Sequence, residues 1–320
     1  MKKRDIAGEA GISISEQQKL TLPIIREIDR ICRRHNLTYF LYFGSLLGAV
    51  RHGGFIPWDD DFDIMMPRAD YWRFREIAAA ELKEDFFLQS CFSDPHWRML
   101  NVPLKVRDNN STVIEEFGKR YHHGIYVDIF PADPVSDPER WARLKKRCSR
   151  ISSYYMPINL RQAKSPHMIL RVFLQLIFRL IPPQLTLLYL EGKALRLNKA
   201  TLVETAQTNL PTHIAVGLEM VEKEIYPLAQ ILPTRTADFA DLELAVPADP
   251  PAVLTTLYSE NYMTPPPEND RAGHCLFYSD KRLNYNHQPR PSIWERLTRK
   301  LRRRRALELP TVAEAAEVAL

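Results

Sequence analysis

The chain has 320 residues, 45% hydrophobic and 26% charged, enough for one large domain or two ordinary ones with ample core. Its net charge of +5 lies largely in a C-terminal run, Trp294 to Arg305, so the body is near neutral, which argues against a dedicated nucleic-acid binder. Cys32, Cys91, Cys148 and Cys275 stand far apart with no CxxC or Cys/His spacing, which indicates neither a disulfide framework nor a zinc site and fits reduced cytoplasmic thiols.

The opening MKKRDIAGEAGISISEQQ has basic residues with no apolar stretch behind them, unlike a secretory leader, and residues 1–15 read as disordered. From Glu16 to about His35 a helical stripe of Ile24, Ile25, Ile28, Ile31 and Cys32 emerges, with Pro23 expected in its first turn. The next stretch, YFLYFGSLLGAVRHGGFIPWDDDFDIMM (residues 39–66), organises the rest. Tyr39–Phe43 reads as a short buried strand, Gly44-Ser45 as a turn, and Leu46 to Arg51 as a short helix. Such a junction presents backbone N–H groups at a positive helix end, which suits a phosphate. If the following strand begins near Asp61, alternation puts Asp61 and Asp63 on one face and Phe62 and Ile64 in the core.

Two carboxylates on one face repel each other, and a divalent cation relieves that; hard oxygen ligands suit Mg²⁺ or Mn²⁺. The rival readings are a solvated loop or a calcium loop. Asp59, Asp61 and Asp63 match the first three ligands of an EF-hand, but Ile64 stands where that loop needs Gly and Asp70 where it needs Glu. A metal beside a phosphate-binding turn is the apparatus for transfer at phosphorus.

Downstream, a helix capped by Asp70 is expected to about Lys83, then a strand at Phe86–Gln89. Asn101–Arg107 reads as a strand paired in a hairpin with Thr112–Glu115. Lys105 and Arg107, two apart on it, are either solvated charges on an exposed edge or phosphate-neutralising groups. His122-His123 reads as an exposed loop pair. In GIYVDIFP (124–131) an Asp interrupts an apolar strand, a costly burial unless it is paired or metal-bound; Asp128 is therefore expected to join Asp61 and Asp63 from a neighbouring strand.

Pro138 opens a basic-faced helix. Met168–Leu180 and Gln184–Leu197 read as apolar helices, either buried in a core or resting on a membrane surface; Arg171, Arg179 and Pro182-Pro183 break any membrane span. Strand-like pieces return at 231–247, a proline-led helix at Pro250–Tyr258, and a rigid loop at Asn261–Pro267 that is expected to shape a pocket with His274 nearby. The expected organisation is a disordered start (1–15), a catalytic core (16–137), a helical acceptor-side region (138–230), a return segment completing the site (231–290), and a basic helix with a tail (291–320).

With these residues in view, the chain resembles the LicD family, which includes fukutin-type proteins. The resemblance lies in 39–70, GIYVDIFP at 124–131, the piece near 238–247 and LYSENYMTPPP at 257–267. It implies an α/β (α+β) fold: a nucleotidyltransferase-like mixed sheet with flanking helices, plus a helical middle and C-terminal region. It implies transfer of a phospho-alcohol, phosphocholine or a polyol phosphate, from a CDP-activated donor to a sugar hydroxyl of a surface glycan or glycolipid. By position, Gly44 and Ser45 match the phosphate-binding turn, Asp61 and Asp63 the metal pair, and Asp128 the third carboxylate; Asp59 and Asp60 receive no separate role. Tyr39, Trp58, Tyr71 and Trp72 serve packing or face a choline head. The rival functions are nucleotidyl transfer with release of pyrophosphate and a non-catalytic membrane-surface scaffold. A cytoplasmic location fits, with the basic C-terminal helix touching the inner membrane face.

Overall fold

The computed structural model describes residues 9–116, 119–156, 166–208, 211–271 and 273–283. The chain is an α+β protein: a curled mixed sheet carries helices on its faces. The expected basic helix at 294–305 and the tail lie outside the described residues.

Helix α1 (Ile14–Arg34) starts earlier than its apolar stripe suggested, because Ser13 and Glu16 form a reciprocal capping box. Pro23 therefore sits inside the helix rather than in its first turn. Residues 9–13 are placed as well, with the Ile12 N–H donating to the Tyr278 carbonyl. Strands β1 (Phe40–Leu41) and β2 (Asp63–Pro67) pair antiparallel on either side of α2 (Phe43–His52). Helix α3 (Arg68–Glu81) follows β2 directly; Pro67 occupies its N-cap, and Asp70 lies buried in its first turn instead of capping it.

Strands β3 (Phe86–Gln89) and β4 (Leu104–Asp108) form an antiparallel pair. The long β6 (Tyr126–Val135) lies between β4 and β2, parallel to β2 and antiparallel to β4. Its far end pairs with β7 (His213–Val216), which pairs with β8 (Ile225–Pro227). The expected β4–β5 hairpin does not form. Strand β5 (Thr112–Ile114) pairs instead with β11 (Phe277–Ser279), which leaves both edges of β4 to β3 and β6. The expected pieces at 231–247 become the hairpin β9 (Arg235–Phe239) and β10 (Leu242–Val246), followed by α8 (Pro250–Tyr258) capped by Asp249.

Buried charge fixes the far half of β6. The Arg68 guanidinium forks between Asp133 (2.7 Å) and Glu219 (2.7 Å), all three fully buried. Helix α4 (Pro138–Ser153) and the long α6 (Pro183–Thr208) close this end. Asn198 of α6 donates to Asp133, and Glu191 of α6 pairs with Arg75 of α3. Helix α5 (Pro166–Leu180) is not the buried core helix that its composition allowed, since its outer face is exposed. Among the described residues, no single helix is long and apolar enough to cross a membrane. Helix α7 (Leu228–Ile231) is one short turn.

The His122-His123 pair is buried, contrary to its expected exposure: His122 stacks on Phe87 and His123 packs against Tyr121. Burial pushes the His123 imidazole down to about 4. The unfolded chain protonates this ring near 6.5, so between those values it holds more protons than the native state. The stabilising contribution is complete above pH 6.5 and is lost as pH falls toward 4, with a slope of up to about 1.4 kcal/mol per pH unit. Urea titrations from pH 4.5 to 7 are expected to show the wild type gaining more stability with rising pH than His123→Gln does, the difference isolating His123 from the buried carboxyls, whose raised values act in the opposite direction.

Candidate active site

The site is built where β1 hands over to α2 and β2 runs beside β6. Phe43 makes the turn into α2 with a positive φ of 43°, a conformation that a bulky residue rarely adopts. Its ring is held against Tyr42 and Phe130. The N-cap, Tyr42, offers no side-chain cap, and Gly44 in the first turn lines a cleft of about 630 Å³. A Cβ at Gly44 would run into the Asp59 carboxylate, so any larger residue there would displace that side chain from the cleft. Ser45 is placed differently from the expected phosphate ligand. It is buried, and its hydroxyl accepts the Asp63 backbone N–H at 2.7 Å, pinning the start of β2 beneath α2.

Asp63 and Asp128 are register partners on the parallel strands β2 and β6, and both are buried. The next strand puts Lys105 opposite Asp128, with its Nζ 2.9 Å from the Asp128 carboxylate. Asp61 lies just before β2 rather than in it, yet it lines the cleft with Asp59, Asp63 and Asp128. Like charges and desolvation meet here. Burial pushes the Asp61 carboxyl up to about 8, with Asp59 and Asp128 adding to the effect and His274 opposing it. Burial likewise raises Asp63, reinforced by Asp61 and Asp128, and raises Asp59 and Asp128, the last opposed by Lys105.

This donor set fits a hard divalent cation. Four carboxylates face one space with the buried Lys105 ammonium beside them, and that ammonium is shared with Glu115 at 3.5 Å. Ligand atoms of Asp59, Asp61 and His274 all lie within 4.8 Å of one another, so Asp59 joins the candidate ligands.

Lys105 and Arg107 do not behave as expected. Both are buried, because β4 is an interior strand, and neither lines the cleft. Lys105 serves Asp128; Arg107 binds Gln89, the Gly124 carbonyl and Glu115. Among the described residues, the Lys/Arg side chain that lines the cleft is Arg51 of α2, which sequence reasoning missed. It donates to the Tyr262 carbonyl and lies 6.0 Å from the Trp58 ring, over which Arg271 stacks at 4.5 Å. Of the four aromatics proposed to face a ligand, Trp58 lines the cleft, while Tyr39, Tyr71 and Trp72 are buried in the core.

The loop at 261–267 contributes Asn261, Tyr262, Thr264 and Pro266 to the cleft lining, the pocket-shaping place expected of it. Asp60 also acquires a role. Its buried carboxylate accepts the backbone N–H groups of His274 (2.9 Å) and Cys275 (2.8 Å) and the Tyr278 hydroxyl. It thereby anchors the returning segment that presents His274 to the cleft.

Comparison with known proteins agrees with this geometry. Residues 36–164 match the family described as LicD/FKTN/FKRP, nucleotidyltransferase domain. These residues are the part of the chain that is similar to that family. They contain α2, the acidic motif and β6, which is to say every carboxylate of the cleft. A lipopolysaccharide cholinephosphotransferase LicD of Haemophilus influenzae is 32% identical over 141 residues, 44% of this chain and 52% of that one. An uncharacterised protein of Rickettsia prowazekii is 32% identical over 155 residues, 48% of this chain and 53% of that one. Mannosyltransferase regulator 4 of Saccharomyces cerevisiae is 28% identical over 134 residues, 39% of this chain and 11% of that one. The chain thus aligns with about half the length of the Haemophilus influenzae and Rickettsia prowazekii proteins.

Asp60→Asn tests the anchoring role. It removes the charge that three donors share and is expected to cost about 1.5–3 kcal/mol. Amide hydrogen exchange at His274 and Cys275 is expected to accelerate more than exchange in β2 or β6.

Proposed function

We propose that this protein is a metal-dependent transferase that moves a phospho-alcohol, phosphocholine or a polyol phosphate, from a CDP-activated donor to a sugar hydroxyl of a cell-surface glycan or glycolipid. The observation that carries this reading is the convergence of Asp59, Asp61, Asp63 and Asp128 on one cleft beside the uncapped start of α2. The LicD relative named as a lipopolysaccharide cholinephosphotransferase supports the choice of phosphocholine and of a lipopolysaccharide-type acceptor.

Asp61, Asp63 and Asp128, with Asp59, would hold Mg²⁺ or Mn²⁺, which supplies positive charge against the donor diphosphate. The first-turn amides of α2 and the Arg51 guanidinium bind phosphate oxygens from the protein side. Lys105 holds the Asp128 carboxylate in place. The acceptor hydroxyl attacks the phosphorus that bears the alcohol, Asp128 takes its proton, the bond to the bridging oxygen breaks and CMP leaves. Trp58, backed by Arg51 and Arg271, forms an aromatic wall for the alcohol or acceptor. Most of the rate enhancement is positioning and electrostatics rather than covalent chemistry. The reading carries a cytoplasmic location, with the acceptor presented at the inner membrane face.

Phosphorus NMR of a reaction with CDP-choline, a lipopolysaccharide acceptor and Mg²⁺ is expected to show a new phosphodiester with one CMP per transfer. Asp61→Asn and Asp63→Asn are each expected to lower turnover at least about 100-fold while keeping the wild-type fold by circular dichroism. Release of pyrophosphate from CTP instead would convert the assignment to nucleotidyl transfer. Wild-type turnover in the double variant would refute the metal role.

A further inference from the structure

A second surface, separate from the acidic cleft, combines exposed apolar side chains with clustered cations. On α5, Ile169, Leu170, Phe173, Leu176, Ile177 and Leu180 are all exposed, Leu180 at 85%. Spacings of three and four place them on one helix face. The opposite face packs inward through Gln175 and Phe178. The chain then turns by 102° into α6. There, Leu185, Tyr189, Lys193 and Arg196 continue as one stripe at helical spacing. The stripe begins apolar and ends basic, with Lys193 Nζ 5.1 Å from the Tyr189 ring centre. Its basic end meets α4 in a groove of about 330 Å³ lined by Arg140, Arg143, Arg147, Lys193 and Arg196. Glu139 pairs with Arg143 there at 3.5 Å, and both side chains are exposed.

An exposed apolar crest beside a five-cation groove is complementary to an anionic bilayer leaflet, with apolar side chains entering the acyl boundary and cations meeting phosphates. Spanning is excluded by packing. Helix α6 buries Leu187, Leu190, Ala194 and Leu197, and its Glu191 is paired with Arg75 of α3. Helix α5, at 15 residues, reaches about 22 Å against a hydrocarbon core of about 30 Å. We propose that the α5 crest and the α4–α6 groove form a docking surface that rests this protein on a membrane leaflet containing anionic phospholipid. The proposal does not depend on the chemistry assigned to the cleft.

The test is sedimentation of the full chain with vesicles of phosphatidylcholine alone or containing phosphatidylglycerol. Binding is expected only with the anionic lipid and is expected to fall as salt rises. Arg143→Ala with Lys193→Ala is expected to weaken it by about 30-fold. Phe173→Ser with Leu180→Ser is expected to weaken it without flattening the salt dependence. A variant-free readout is hydrogen exchange of the wild type, in which anionic vesicles are expected to protect α5 and the groove. Undiminished binding in both double variants, or protection confined to other segments, overturns the proposal. So does a wild-type dimer in light scattering that becomes a monomer in Phe173→Ser with Leu180→Ser.

Discussion

The structure depends on one row of side chains across three adjacent strands: Asp63 on β2, Asp128 on β6 and Lys105 on β4. Parallel neighbours lie about 4.8 Å apart, so the register forces two buried carboxylates together with one ammonium beyond them. Asp59 and Asp61 add further negative charge from the loop before β2. Lys105 cannot balance this set, because it also serves Glu115. A buried cluster with unbalanced charge is stable only if protons or cations complete it. That requirement connects the fold to the proposed chemistry.

The surroundings hold the row in register. Ser45 of α2 takes the Asp63 N–H, which fixes where β2 begins. Arg68, immediately after β2, grips Asp133 on β6 and Glu219 beyond β7, so the far ends of the same two strands are tied by buried charge. Asp60, next to Asp61, holds the returning segment with His274. Neighbouring aspartates in one short motif thus divide their labour. Asp60 turns inward and organises the backbone, while Asp59, Asp61 and Asp63 face the cleft.

Much of this was legible in the sequence where the information is local. The Asp within GIYVDIFP announced itself by its apolar neighbours, and its convergence with the DDDFD motif is what the strand register delivers. The proline-led helices α4 and α8 and the loop at 261–267 also followed from short-range chemistry. The failures concern partners distant in the chain. Thr112–Ile114 follows a turn and looks like half of a hairpin, but its partner is β11, far downstream. With the hairpin gone, β4 becomes interior, and Lys105 and Arg107 change from exposed charges into buried ones. His122 differs from its expected exposure for the same reason, since Phe87 of β3, which stacks on it, is distant in the chain. Arg51 carried no signal, because a basic residue at the last turn of a helix is ordinary.

The most direct measurement is calorimetric titration of Mg²⁺ or Mn²⁺ into the protein with CDP-choline present, for the wild type, Asp63→Asn and Asp128→Asn. The account requires saturable uptake by the wild type and an affinity loss of at least about 10–100-fold in each variant. No uptake by the wild type, or undiminished uptake in both variants, would contradict it.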